Sequence, residues 1–199
     1  MSEPISRRDW MTRLAAGAAL VTAAEAQHAH ESVAREKHQA GSYQPKALTP
    51  HEYATLEKLS DLIIPADDHS PGALEAGAAS FIDFLCSLNT DLRDIFTGGL
   101  LWLDNAAEGG EAGKTFLESS PADQTALLDK IAFRKNAAVW PELDPGIQFF
   151  AFCRRLVADA YYTTPTGYKE VGYMGNSGMA HFSVPKEALD YALKRSNLV

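Results

Sequence analysis

Along residues 48 to 162 apolar side chains return every three or four positions, and no stretch of any length alternates apolar with polar as a strand would. In LTPHEY three helix-start signals coincide: Thr49 can cap, Pro50 suits the first helical position, and Glu52 stands where a capping box places its carboxylate. Tyr53, Leu56, Leu59 and Ile63 then supply one apolar face until Pro65 closes the segment, which predicts a helix over 50–64. PADDHSPGALEAG follows as a structured loop of proline, glycine and short polar residues. SFIDFLCSL predicts a short apolar helix. DLRDIFTGGLLWLDNAA predicts a longer one, with Leu92, Ile95, Phe96 and Leu103 on its buried face and Gly98-Gly99 either weakening it or admitting a close neighbour. After the joint EGGEAGK, Ser120, Pro121 and Asp123 repeat the start device ahead of an amphipathic helix. NAAVWPELDP is a proline-marked connection, and GIQFFAFCRRLVADAYY predicts the longest, aromatic-rich helix, burying Phe149, Phe152, Cys153 and Leu156. The expected fold is all-α: a single domain of about five helices over 48–199, with an irregular C-terminal extension.

The first 26 residues pattern differently. Arg7, Arg8 and Arg13 precede an Ala/Leu/Val run from Leu14 to about Ala24, and Ala24-Glu25-Ala26 closes it with a small-x-small ending. These are the parts of a removable secretory signal. The adjacent arginines in SRRDWM resemble the twin-arginine class, which carries folded proteins to the periplasm. The apolar run falls short of the roughly 20 residues a membrane span needs, so no direct membrane span is expected. From Gln27 to about Ala47 the chain is polar and rich in His, Glu, Lys and Gln, which reads as a linker or arm. The formal net charge of −8 argues against nucleic acid or anionic lipid as a partner. Cys86 and Cys153 are the only cysteines, and two readings stand: one disulfide, as an oxidising compartment permits, or two buried thiols on apolar helix faces.

Catalytic motifs are missing from the sequence: no glycine-rich dinucleotide or phosphate loop, no nucleophile elbow, no C-x-x-C and no H-E-x-x-H. The best polar constellation is Asp67-Asp68-His69, whose carboxylates and imidazole suit a metal ion or a shared proton. Consecutive residues diverge, however, and a loop after a helix commonly uses Asp to satisfy backbone donors. His28, His30 and His38 lie in the polar arm and read as solvated; His181 reads as structural. The stretch YYTTPTGYKEVGYMGNSGMAHF spends glycine, proline and a dense set of aromatics on an irregular loop. Such loops bind something, and Tyr and Met are favoured at partner surfaces. The competing account is a loop folded back onto its own domain.

Together the twin-arginine start, LTPHEYATLEKLSDLIIPADDHSPGALEAGAASFIDFL and YYTTPTGYKEVGYMGN resemble the gluconate 2-dehydrogenase subunit 3 family, over about Leu48 to Asn176. The second motif matches at Tyr162, Thr163, Pro165, Gly167, Gly172, Tyr173, Gly175 and Asn176. The resemblance implies a non-catalytic small, or gamma, subunit without a cofactor of its own. It would bind, mature and co-export a large FAD-dependent sugar or polyol dehydrogenase subunit of the glucose-methanol-choline type, with a multihaem cytochrome c subunit in some complexes. It also implies that the Tyr162–Asn176 positions face that partner. Two other functions are open from the residues themselves: a freestanding periplasmic enzyme or metal-binding protein using Asp67, Asp68 and His69, and a module whose aromatic loop stacks on sugar.

Overall fold

The computed structural model describes residues 22–108, 114–173 and 184–195. Among them are nine α-helices, two 3-10 turns and no strand, so the all-α expectation holds while the helix count exceeds the five expected. The helices are α1 (Ala23–Ala40), α2 (Pro50–Ile63), α3 (Gly72–Glu75), α4 (Ala78–Leu88), α5 (Thr90–Glu108), α6 (Pro121–Ile131), α7 (Asp144–Tyr162), α8 (Pro165–Glu170) and α9 (Lys186–Arg195); the 3-10 turns are η1 (Arg134–Ala138) and η2 (Pro141–Leu143). Beyond the five, α3 and α8 are pieces of 4 and 6 residues that periodicity does not resolve, α1 replaces the expected arm, and the 10-residue α9 stands within the C-terminal extension expected to be irregular.

Both predicted start devices form. Thr49 caps α2 through the Glu52 N–H while Glu52 reaches back to Thr49, a complete capping box, and Ser120 accepts from the Asp123 N–H at the head of α6. Each such cap stabilises by about 1 kcal/mol.

α7 is the axis of the bundle. It touches α2, α3, α4, α5, α6 and α8, and its buried side carries Ile147, Phe149, Phe150, Cys153, Leu156, Val157, Ala160 and Tyr161. α5 crosses it closely because Gly99 lies directly against the Phe149 ring, where a Cβ has no room. The close-neighbour reading of the glycine pair therefore holds at Gly99. Phe96 meets Phe149 edge to face, with ring centroids 5.8 Å apart.

The expected polar arm is instead a helix. α1 opens with a capping box between Thr22 and Glu25, ends at Gly41 in the left-handed conformation, and lays Ala26, Ala29 and Val33 on α4. The stripe is built from small residues, which bring two backbones together without the large apolar side chains that mark a helix in sequence. Of its histidines, His28 and His38 are exposed, in line with the solvated reading, whereas His30 is not: its ring lies 4.6 Å from the Phe81 ring and its Nε2 is 2.8 Å from Thr163 Oγ1. The small-x-small ending, Ala24-Glu25-Ala26, falls within this helix; Arg7 and Arg8 lie outside the described residues.

The connection from α1 to α2 is held by one buried carboxylate. Asp83 of α4 accepts from Tyr43 Oη at 2.7 Å and from the backbone N–H groups of Lys46, Ala47 and Leu48 at 2.7, 3.1 and 2.9 Å. Tyr43 is thus buried, and its hydroxyl pKa is pushed up by burial and then by the Asp83 hydrogen bond. Asp83→Ala would leave four donors without an acceptor, and we expect a loss of about 3 kcal/mol or more, read as a lowered urea midpoint with unchanged slope.

His30 supplies a pH dependence with a definite sign. Thr163 Oγ1 donates to the Asp159 carbonyl at 2.6 Å, so the imidazole Nε2–H donates to Thr163. Burial holds the His30 pKa below its usual value of 6.5. As pH falls below about 6.5 the unfolded chain takes up this proton first, so stability is lost on acidification. The measurement is the urea midpoint at pH 7.5 and pH 5.5: His30→Gln should fall less over that interval than the unsubstituted chain.

Candidate functional site

The two most distinctive sequence segments, the ADDHSPG loop and YYTTPTGYKEVGY, meet at the C-terminal end of α7. Their junction is a three-residue lock in which Ser70 and Tyr161 are buried and Glu170 is exposed: Tyr161 Oη donates to a Glu170 carboxylate oxygen and accepts from Ser70 Oγ. Tyr161 is fully buried. The loop beneath it is shaped by Asp67, whose Oδ1 accepts from the His69 and Ser70 N–H groups at 2.8 Å each; these bonds lower the Asp67 pKa. Asp67 thus folds its own backbone, a familiar role for Asp in a loop. Among the described residues no group of three His, Cys, Asp or Glu side chains is placed to hold a metal ion, so the Asp67-Asp68-His69 constellation does not converge.

Two glycines make the junction possible. Gly72 sits at φ +73°, with a Cβ position 2.6 Å from the Ala66 nitrogen. Gly167, in the first turn of α8, lies against the backbone of α7's last turn, its Cβ position 2.7 Å from Tyr162 Cα as well as on the Tyr161 carbonyl. Glycine is required at Gly167 for close approach alone, and at Gly72 both for close approach and for its left-handed backbone. Thr164 caps α8 through the Gly167 N–H at 3.1 Å, and Pro165 occupies the first helical position. As far as Glu170, the segment expected as irregular is therefore the end of one helix, a two-residue break and a second short helix.

Helix geometry sorts the aromatics. Tyr161 and Tyr162 are adjacent and about 100° apart around α7, so one enters the lock and the other faces outward. Tyr162 is 39 % exposed, Tyr168 41 %, Val171 59 % and Tyr173 52 %. Tyr168 and Tyr173 stand with ring centroids 5.5 Å apart, and the Tyr173 N–H closes on the Tyr168 carbonyl at 2.9 Å. Gly172, at φ +65° with open space around it, makes that closure. Thr163 is half-buried under His30. Of the eight motif positions, then, Tyr162 and Tyr173 form an exposed aromatic corner, while Thr163, Pro165, Gly167 and Gly172 build its backbone. Gly175 and Asn176 lie outside the described residues. Sequence reasoning passed over Tyr168, Glu170 and the buried role of Tyr161; the tyrosine run identified the region but not which ring points where.

Cys86 on α4 and Cys153 on α7 are both buried free thiols, their pKa values raised chiefly by burial. This is the second of the two readings open from the sequence.

The gluconate 2-dehydrogenase subunit 3 model matches residues 50–178, from the head of α2 to beyond the aromatic corner. The chain belongs to the gluconate 2-dehydrogenase subunit 3 family. No curated protein and no solved structure matches it. The family is that of an accessory subunit of a dehydrogenase complex, and its name implies association with other subunits of that complex. No described helix is long and apolar enough to cross a membrane.

The two kinds of motif glycine separate in a stability measurement. Gly167→Ala must displace helix backbone and should cost about 2–4 kcal/mol, whereas Gly172→Ala meets only the left-handed backbone penalty of about 1 kcal/mol. Thermal unfolding of the two variants checks the order.

Proposed function

We propose that this chain is a non-catalytic small subunit that binds a large FAD-dependent sugar or polyol dehydrogenase subunit of the glucose-methanol-choline type, assists its maturation, and carries it to the periplasm by the twin-arginine route. The observation that carries the docking part is the combination at the end of α7: a Ser70–Tyr161–Glu170 lock, its Ser70 and Tyr161 buried, beside the exposed side chains of Tyr162, Tyr168, Val171 and Tyr173. Clustered exposed apolar side chains mark interaction sites, and here the Tyr168 and Tyr173 rings stand 5.5 Å apart. Amphipathic rings held in place by the fold lose little entropy when a partner covers them. The flavin and the sugar site belong to the partner in this reading, and a cytochrome c subunit is the electron acceptor in complexes that have one.

Export is proposed from Arg7 and Arg8, since a receptor that reads the fixed guanidinium fork discriminates arginine from lysine. One export signal then serves two chains when the complex forms before transport.

The test co-expresses the chain with its large subunit and follows both into the periplasm. Tyr168→Ala with Tyr173→Ala should lower retention of the flavoprotein at least thirtyfold, the loss of about 2 kcal/mol or more expected of buried interface aromatics. Circular dichroism should keep its helical signal. Arg7→Lys with Arg8→Lys should leave both chains in the cytoplasm. Sugar-dependent dye reduction by this chain alone would defeat the accessory reading; undiminished periplasmic delivery of the lysine variant would defeat the export reading.

A further inference from the structure

The small-x-small ending Ala24-Glu25-Ala26 is folded in a form unlike the one a signal-removing protease binds. In an extended chain residues two apart lie on one face, so Ala24 and Ala26 would enter neighbouring small pockets of the protease together. On a helix the same two residues stand about 200° apart. In the folded chain Ala24 is exposed while Ala26 is 6 % exposed and lies with Ala29 and Val33 on α4.

The backbone around the Ala26–Gln27 bond is engaged as well. The Ala26 N–H donates to the Thr22 carbonyl at 2.9 Å, and the Thr22–Glu25 capping box closes the turn in front of it. On the other side of the bond, Gln27 Nε2 donates to Glu31 Oε1 at 2.8 Å. One turn further on, His30 is bonded to Thr163. Cleavage therefore requires the first turns of α1 to unwind and Ala26 to leave α4. A protease facing such a bond acts on the minor population in which the segment is free, and its rate follows that population.

We propose that the docking of α1 gates removal of the export signal: the Ala26–Gln27 bond is hydrolysed only in molecules whose α1 has left α4, so a chain exported folded arrives with residues 1–26 attached and sheds them slowly. The proposal rests on the export reading above. A signal peptidase of the host supplies the catalysis and water the second reactant, which leaves a carboxylate on Ala26 and an ammonium group on Gln27. The cut is not neutral for α1. It takes away Thr22 and Glu25, which cap the helix, and Ala26, the first of its three buried apolar side chains. The trimmed helix docks more weakly than the intact one, so processing also loosens the His30 contact with Thr163.

The experiment makes one substitution on two faces of α1. Val33→Lys places a cation in the contact with α4, whereas Ala34→Lys puts the same side chain on the exposed face, and both lie well past the scissile bond. Full-length chains purified from cells without the twin-arginine translocase are incubated with a glutamate-specific protease, and cutting of the Glu25–Ala26 bond is followed by mass. Val33→Lys should be cut at least tenfold faster than the unsubstituted chain, and Ala34→Lys at the unsubstituted rate. Cutting after Glu57, within α2, should be the same in all three, which shows that α1 alone has come free. In cells with the translocase, pulse-chase labelling of the periplasmic fraction should give the same order for loss of residues 1–26. Equal cutting at Glu25 in all three chains, or a parallel rise at Glu25 and Glu57, would overturn the proposal. Protection in vitro with prompt and equal processing in cells would overturn the gate and leave the export reading standing. Absence of every chain from the periplasm would defeat the export reading and the gate with it.

Discussion

The order of the N-terminal half depends on a carboxylate with no access to water. Asp83 gathers one phenol and three successive backbone N–H groups, converting the α1–α2 connection from a free strand of chain into a fixed strap across α4. A buried carboxylate without those donors would be costly, and those donors without the carboxylate would be nearly as costly, so each requires the other. The strap sets the direction in which α1 leaves the bundle. α1 then reaches Thr163 through His30, and Thr163 adjoins the lock that holds the aromatic corner. A single electrostatic requirement in the core is thus linked, by contacts between named side chains, to the surface assigned to the partner.

Local signals were legible and non-local ones were not. Thr49-Pro50-x-Glu52 and Ser120-Pro121-x-Asp123 are devices complete within four residues, and both helices begin where those residues say. α1 escaped because its buried stripe is made of Ala26, Ala29 and Val33, surrounded by histidines and charges; composition favoured a solvated arm, and only the facing surface of α4 gives the stripe a purpose. Asp83 escaped for the related reason that an acid inside an apolar run is indistinguishable from a solvent-facing position until its donors, some 35 to 40 residues away, are brought to it.

The candidate site shows the same division. The tyrosine-rich segment announced itself by composition, yet the fate of each ring follows from the turn of α7 and the close approach permitted by Gly167. Motif positions that looked uniformly partner-facing divide into a few exposed side chains and a larger number that fold the platform beneath them. A family signature in such a place records the architecture of the support at least as much as the contact itself.

α1 also has an energetic consequence. It is long, yet its grip on the bundle consists of three small side chains, the half-buried His30 imidazole against Phe81, the exposed His28 ring beside Phe84, and the strap that follows it. Burial of so little apolar area contributes far less than the core around Phe96, Phe149 and Tyr161. The helix is therefore a separate cooperative unit, whose amides open to hydrogen exchange at a free energy well below that of global unfolding. Its detachment would remove the donor on Thr163 while leaving the capped helices of the bundle intact, so the outer face of the corner can loosen without the molecule unfolding.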